Sequence, residues 1–282
     1  MTPLILTQIG TGILVPACAT GSILLAAQLL KPGANRFVIP LALAIGFLAG
    51  YVATFGAPLF PPRESGQWLP WITLAAAACA LLPLTPRWRS VALGLLVTGL
   101  IIHRHYELEW LSANFPWLKN GAQVFFILAL NYTFAASLQK FTDGPPSAWT
   151  PFALMIFLCT VSLTIALSGS AALGQAAGIL TATLGALWIL HLWRPIEPAS
   201  ATTAILATLV PAFLLLAYFY ADLPATCGLI LLAAPAGACV AAHFSPKKLK
   251  AKSPAFARAL VISFFGLIAV ALAWYFSPAL EY

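Results

Sequence analysis

Apolar runs of similar length, separated by short polar breaks, follow one another along almost the whole chain. A hydrocarbon core about 30 Å thick is crossed by a helix of about 20 apolar residues. The runs have roughly this length, so each of them predicts a membrane-spanning helix. The ten predicted spans are 8–30, 37–55, 68–84, 90–106, 121–138, 150–167, 171–193, 201–220, 225–243 and 255–276.

The runs predict helices and not strands. In hydrocarbon every backbone N–H and C=O group needs a partner within the protein, which excludes an open sheet. A membrane barrel would show strands of about ten residues with alternating polarity, whereas these runs are continuous and rich in Ala and Leu. Because the loops are short, we expect residues 1–282 to form a single domain, an all-α polytopic transmembrane bundle.

The breaks between spans hold proline, glycine and charged residues, which is typical of helix ends. Spans six and seven are separated only by Ser168-Gly169-Ser170. At Thr150-Pro151 and Ser253-Pro254 a hydroxyl side chain precedes a proline. This order predicts a helix that starts at the proline, with the hydroxyl as its cap.

Small residues and prolines inside the spans predict where helices pack closely or bend. Glycines four residues apart share one helix face and let a second helix approach. Two such pairs occur, Gly46 with Gly50 and Gly174 with Gly178. Proline in a helix removes one hydrogen bond, so we expect kinks or breaks at Pro16, Pro211 and Pro235.

Composition supports a location in the membrane. Hydrophobic residues make up 61% of the chain and charged residues 7%, against about 25% charged residues in a soluble domain. The net charge is +7, and we interpret it through its distribution along the chain, with no nucleic-acid partner expected.

The charges predict the orientation of the bundle. If loops alternate between sides, eleven basic residues fall on one side, and three, Arg63, Arg104 and Lys119, on the other, which accounts for all fourteen. The seven acidic residues lean the other way, five against two. Cytoplasmic loops collect Lys and Arg, so the basic side is cytoplasmic. An even number of spans then places both termini on the outer side.

The stretch GFLAGYVATFGAPLFPPRESGQWLP, residues 46–70, resembles a segment of uncharacterised bacterial multi-pass membrane proteins. The resemblance covers under a tenth of the chain. It implies the bacterial inner membrane, and hence a periplasmic location for both termini. It carries no assigned activity.

The densest polar cluster lies at the outer end of span four. On a helix the pairs His103 with Glu107, Arg104 with Glu107, and His105 with Glu109 each share a face, being three or four residues apart. Ionisable groups at this depth predict a functional site, in which histidine beside a carboxylate handles protons or contacts substrate. The alternative is an interfacial collar of mutually paired charges, since aromatic residues of a membrane belt follow at once.

Asn131 is the strongly polar residue nearest the middle of span five. An amide at this depth has two interpretations. It hydrogen-bonds to a neighbouring helix, or it contacts a substrate. We include it among the candidate site residues.

The sequence predicts no catalytic residue, cofactor or metal site. Its five cysteines lie in or beside apolar runs, without CxxC or Cys–His ligand spacing, so we expect small buried side chains and no disulfides. The glycine-rich phosphate loops and the HExxH and GxSxG motifs do not occur.

The last loop before span ten is rich in lysine. We expect it to bind anionic lipid headgroups through Lys247, Lys248, Lys250 and Lys252. Apart from the lipid bilayer itself, the sequence leaves open whether the protein has protein partners within the membrane.

Three classes of function fit these observations. A transporter or permease for an unidentified small substrate is favoured, because the chain offers little besides its spans and Pro16 and Pro235 could open a midplane site. A non-catalytic subunit or scaffold of a larger complex fits the scarcity of charge inside the spans. A membrane-embedded enzyme would depend on the cluster from His103 to Glu109 alone.

Overall fold

The computed structural model describes residues 7–8, 10–30, 35–62, 64–82, 92, 94, 116–142, 147–194, 200–244 and 254–277. Within these ranges the long elements are α-helices. They are α1 (Val15–Leu30, after a π-helical turn at Gly10–Leu14), α2 (Asn35–Phe55), α3 (Trp68–Leu81, after a 3-10 turn at Ser65–Gln67), α4 (Pro116–Thr142), α5 (Trp149–Leu167), α6 (Ala171–Trp193), α7 (Ser200–Tyr220), α8 (Ala225–Phe244) and α9 (Pro254–Phe276).

Each of these helices overlaps one predicted span. The fourth predicted span, 90–106, lies outside the described residues except for residues 92 and 94, both helical. Six helical segments are long and apolar enough to cross a membrane: Gly10–Leu30, Phe37–Phe55, Trp149–Leu167, Ala171–Trp193, Thr202–Tyr220 and Ala255–Phe276. Trp68–Leu81 and Ala225–Val240 are shorter apolar helices.

Helix ends differ from the predicted span ends where proline intervenes. The described part of α4 begins at Pro116, earlier than predicted, because a helix extends beyond its apolar part. Helix α3 ends at Leu81 because Leu82, with φ −68° and ψ 145°, is extended. Leu82 precedes Pro83, and a residue before proline is disfavoured in helical geometry.

One of the two predicted helix starts is correct. Helix α9 begins at Pro254 as expected. Helix α5 begins at Trp149, so the prediction that Thr150 caps it was wrong. The Ser147 hydroxyl instead accepts a hydrogen bond from the Trp149 N–H at 3.3 Å, which satisfies a donor that the first helical turn leaves without a partner.

Helix α7 is the central helix of the bundle. In the most apolar stretch of α7, 83% of the residues are buried, against 17% in that of Gly10–Leu30 and 28% in that of α9. Helix α7 packs against α2, α3 and α4, and also touches α5, α6 and α8. The other helices surround it in the order α1, α2, α3, then α4, α8, α9, α5 and α6, with α6 closing onto α1 and α2.

The Gly46–Gly50 pair is a close helix crossing, as predicted. A Cβ atom on Gly46 would meet the Thr20 hydroxyl, and would lie 3.0 Å from the Pro16 carbonyl oxygen of α1. A Cβ atom on Gly50 would lie 2.6 Å from Ile179 Cγ2 of α6. Helices α1 and α6 therefore approach α2 at distances that only glycine permits.

The expected breaks at Pro211 and Pro235 do not occur, since α7 and α8 continue through them. Loss of one hydrogen bond is tolerated where neighbouring helices pack around the site. Pro16 lies in the first turn of α1, so no break occurs at the proline itself. The π-helical turn Gly10–Leu14 directly precedes this helix.

The helices alternate in direction, so that their ends gather at two sides of the bundle. Contacts between Thr142 and Thr203, and between Arg258 and Phe141, bring the end of α4 together with the starts of α7 and α9. We call this side the basic end, because the described charged side chains there are Lys140, Arg194 and Arg258. The two described carboxylates, Glu64 and Asp222, lie at the opposite end.

The proline-rich connection from α2 to α3 is held in place by its own backbone carbonyls. The Tyr51 hydroxyl donates to the Gly66 carbonyl at 3.2 Å, and Trp71 Nε1 donates to the Leu59 carbonyl at 3.3 Å. Phe60 packs edge-on against Trp71, with ring centroids 5.1 Å apart. These contacts tie the loop to both helices that it joins.

The five cysteines are free, as expected. The expectation that the cysteines are buried is correct for only some of them. Cys227 is buried, Cys79 and Cys239 are half-buried, and Cys18 and Cys159 are exposed on the outer surface of the bundle. A small apolar side chain is as stable in contact with lipid as in the interior, so hydropathy alone did not distinguish the two.

Candidate functional site

The predicted site residues fall into two groups. His103, Arg104, His105, Glu107 and Glu109 lie outside the described residues, and their proposed role stays a prediction. Asn131 lies in α4 and is the candidate that the structure places.

Asn131 faces the interior of the bundle. It is 3% exposed, whereas its neighbour Tyr132 is 41% exposed and Thr133 is also exposed. The Thr133 hydroxyl donates to the Ala129 carbonyl of its own helix at 2.7 Å. Of these three consecutive polar residues, only Asn131 is positioned to meet another helix or a bound molecule.

Asn131 lies on the face of α4 that contacts the central helix at the basic end. Asn131 and Thr142 are eleven residues apart in α4, which at 100° per residue is about 20° more than three full turns. They therefore share a face, and Thr142 contacts Thr203 of α7 with 2.9 Å between the two hydroxyl oxygens.

Asn131 lies near the middle of the membrane thickness. Eleven residues at 1.5 Å each place it about 16 Å from Thr142 and the basic end. This is about half of a hydrocarbon core roughly 30 Å thick. An amide buried at this depth is costly unless another group hydrogen-bonds to it.

The backbone of the fourth predicted span approaches α4 at this residue. A Cβ atom on Gly94 would lie 3.6 Å from Asn131 Cβ and 3.8 Å from Leu128 Cδ2. Gly94 itself is helical and buried. Gly94 therefore lies directly beside Asn131 of α4.

Two prolines lie at nearby depths. Cys239 of α8 hydrogen-bonds to the Ser137 carbonyl at 3.5 Å, which sets α8 alongside α4. Counting along both helices from this contact puts Pro235 within about 3 Å of the depth of Asn131. Pro211, counted from the Thr142–Thr203 contact, lies within about 5 Å of that depth.

Proline lacks an N–H group, so it leaves the carbonyl four residues earlier without its helical donor. The affected carbonyls belong to Ala207, 8% exposed, and Leu231, 0% exposed. Both carbonyls belong to helices that contact α4. By the same counts, Leu231 lies within about 3 Å of the depth of Asn131, and Ala207 lies about 10 Å nearer the basic end. These groups can donate to and accept hydrogen bonds from a small polar molecule or water.

Most other buried hydroxyls are satisfied within their own helices. The hydroxyls of Thr73, Thr164 and Thr208 each donate to the carbonyl four residues earlier, at 2.7 Å. Thr202 differs, since its buried hydroxyl oxygen has no hydrogen-bond partner in the described part of the chain.

Sequence reasoning did not find the contact between Thr142 and Thr203. The two residues are 61 positions apart, and threonine in an apolar run is ordinarily satisfied by its own helix. No local signal marks the pair.

Its six long apolar helices, by length and composition, place the chain in the class of helical multi-pass membrane proteins. Comparisons with protein-family models, with curated proteins and with solved structures found no match for this chain.

Proposed function

We propose that this protein is a transporter or permease for a small solute, with Asn131 in its binding site. The observation that carries the proposal is a buried amide about halfway across the bundle, in a helix that packs against the proline-containing central helix. Transport sites near the midplane are typically built from polar side chains and from backbone groups released in irregular helices. The carbonyl of Leu231, which lies within about 3 Å of the depth of Asn131, would supply such a backbone group.

The proposal includes a ten-span topology in the bacterial inner membrane, as a single domain with periplasmic termini. Helix α3 ends at the basic end and α4 starts at the opposite end, which supports one further crossing between them. The basic residues Lys140, Arg194 and Arg258 share one end, which supports a cytoplasmic location for it. The same proposal includes the binding of anionic lipid headgroups by Lys247, Lys248, Lys250 and Lys252.

Water access to Asn131 tests the proposal directly. In a variant whose native cysteines are replaced by alanine, Asn131→Cys would be treated with a membrane-impermeant methanethiosulfonate reagent in oriented vesicles. The reagent reacts with a thiolate, which forms only in contact with water. We expect Asn131→Cys to react from at least one side.

Thr133→Cys is the matched control, because it lies at nearly the same depth in the same helix but on the outward face. We expect no modification there. If Asn131→Cys is as inert as Thr133→Cys, no aqueous path reaches the site and the transporter proposal fails.

A screen of the purified wild-type protein would then search for the substrate class. Thermal stability would be measured with amino acids, sugars and nucleosides, because a ligand that binds only the folded state raises it. Compounds that stabilise wild type but not Asn131→Leu would be tested for uptake into proteoliposomes.

A non-catalytic subunit or scaffold is the second candidate. The observation that favours it is the close packing of α1 and α6 against α2 at Gly46 and Gly50. A partner protein that co-purifies from the membrane in stable stoichiometry would favour this function over a stand-alone carrier.

An enzymatic function would depend on the cluster from His103 to Glu109, and one variant tests it. If Glu107 pairs within a buried site, Glu107→Gln costs about 3–5 kcal/mol of stability. In an interfacial collar the cost is about 0–1 kcal/mol. Folded yield in detergent separates these outcomes, and a yield equal to wild type rejects the buried site.

A further inference from the structure

At the basic end, α8 and α9 each make a polar contact to α4. Cys239 Sγ of α8 donates to the Ser137 carbonyl at 3.5 Å. Arg258 Nη1 of α9 donates to the Phe141 carbonyl, also at 3.5 Å. The carbonyl of Phe141 belongs to the last described turn of α4, and a cation is favourable at the carboxyl end of a helix.

Arg258 is only partly satisfied by this contact. A guanidinium group carries five N–H donors and a full positive charge. Its Nε atom is buried and has no hydrogen-bond partner in the described ranges. The carboxylates that the structure describes, Glu64 and Asp222, are at the opposite end of the bundle.

Lys140 adds a second positive charge at the same place. Its side chain is exposed at the end of α4, and it directly precedes Phe141, whose carbonyl Arg258 contacts. The two cations therefore lie at the same end of α4. Arg258 also lies just after the first turn of α9, whose backbone N–H groups favour an anion.

Exposed apolar side chains lie on α8 and α9 near the basic end. Val240 follows Cys239 in α8 and is 56% exposed, and Leu260 in α9, two residues after Arg258, is also 56% exposed. Phe264, one turn further along α9, is 61% exposed. Residues two apart are about 200° apart around a helix, so these side chains lie on a different face of α9 from Arg258. They indicate where lipid contacts the two helices near this end of the bundle.

We propose that Arg258 and Lys140, with the first turn of α9, bind the phosphate group of an anionic phospholipid. A half-buried cation to which the described residues supply no counter-ion is costly at a membrane boundary, and a lipid phosphate supplies that counter-ion. The exposed apolar side chains of α8 and α9 near this end are in contact with lipid, which favours a lipid over free phosphate.

The test is a lipid titration of the full-length protein in neutral detergent, followed by native mass spectrometry. Phosphatidylglycerol is compared with phosphatidylcholine of the same chain length. One basic contact near a membrane surface contributes about 1 kcal/mol, which is about fivefold in affinity. We expect phosphatidylglycerol to bind wild type more tightly than phosphatidylcholine, and Arg258→Gln and Lys140→Gln each to bind it about fivefold more weakly.

Arg194→Gln is the matched control, since Arg194 is an exposed arginine at the same end of the bundle. Its binding of phosphatidylglycerol is expected to equal that of wild type. If Arg258→Gln does not fold, Lys140→Gln decides the test, because no described contact depends on its exposed side chain. Equal binding of the two lipids by wild type, or unchanged binding in Lys140→Gln, overturns the proposal.

Two further experiments test whether free phosphate or a carboxylate of the protein, and not a lipid, pairs with these cations. Inorganic phosphate alone, at the same concentration, is expected to leave thermal stability unchanged, and stabilisation equal to that by phosphatidylglycerol overturns a lipid site. Asp143, three residues after Lys140, could compete as a counter-ion. Asp143→Asn is expected to bind the lipid as well as wild type or better, and loss of binding would contradict the proposal.

Discussion

At the scale of single residues, the bundle depends on positions where a side chain would not fit. Gly46 lies between the Thr20 hydroxyl and Pro16 carbonyl of α1 and the Thr183 methyl group of α6. Thr20 is itself buried and donates to the Ala42 carbonyl at 3.4 Å. A methyl group at position 46 would displace Thr20 and weaken that bond.

We expect Gly46→Ala to destabilise the protein by about 1–3 kcal/mol, the usual cost of overpacking. Gly21→Ala is the matched control in α1, because nothing lies within 4 Å of its Cβ position. There alanine should be neutral or stabilising by up to about 1 kcal/mol, through its higher helix propensity. Unfolding by SDS in mixed micelles measures both, and equal stabilities would contradict the packing argument.

A second residue-scale prediction concerns Asp222, whose φ of 50° lies in the left-handed region. It follows α7, where the Leu223 N–H donates to the Ala217 carbonyl at 3.2 Å and closes the helix end. Glycine adopts this conformation without steric cost. We expect Asp222→Gly to stabilise the protein by about 0.5–1 kcal/mol. Thermal unfolding in detergent checks this, and a loss of stability would show that the carboxylate has another role.

At the scale of elements, the described side chains join α4 to α7 by one hydroxyl pair at the basic end. Thr142 also donates to the Gln139 carbonyl of its own helix at 3.0 Å, so its oxygen serves two helices. This contact fixes the register in which α4 lies along α7. It thereby determines which face of α4, and so which polar residue, meets the centre of the bundle.

A double-mutant cycle with Thr142→Val and Thr203→Val should give a coupling free energy of about 0.6 kcal/mol, typical of interhelical hydrogen bonds in membranes. Thr133→Val replaces Thr142→Val in the control cycle, since Thr133 bonds only within its own helix. That cycle should show no coupling. A coupling of zero in the first cycle would mean that the pair does not hold the two helices together.

At the scale of the whole molecule, alternation of the helices separates basic from acidic side chains. Lys140, Arg194 and Arg258 lie at one end, and Glu64 and Asp222 at the other. The same separation was predicted from the order of loops along the sequence. Orientation in the membrane follows if the basic end is cytoplasmic.

Reporter fusions test that orientation. We expect a cytoplasmic signal after residues 89, 197 and 250, and a periplasmic signal after residues 114 and 222. The fusion at 114 avoids α4, which begins at Pro116. A cytoplasmic signal at 114 or a periplasmic one at 250 would reject ten spans with periplasmic termini.

The position of every described helix along the chain was predictable, because the bilayer requires an apolar run of fixed minimum length for each crossing. The Gly46–Gly50 crossing was predictable as well, since a spacing of four puts both glycines on one face. Helix ends were less accurate, as at Trp149, where hydroxyl groups outside the apolar run decide where the helix begins.

Tertiary structure alone decided which helix is central. Helices α7 and α9 are both continuous apolar runs, yet one is enclosed and the other faces outward, because lipid and protein interior are equally apolar surroundings. The same reason applies to the candidate site. Asn131, Tyr132 and Thr133 are consecutive polar residues in sequence, and only the packing of α4 against α7 directs Asn131 inward and leaves the other two outside.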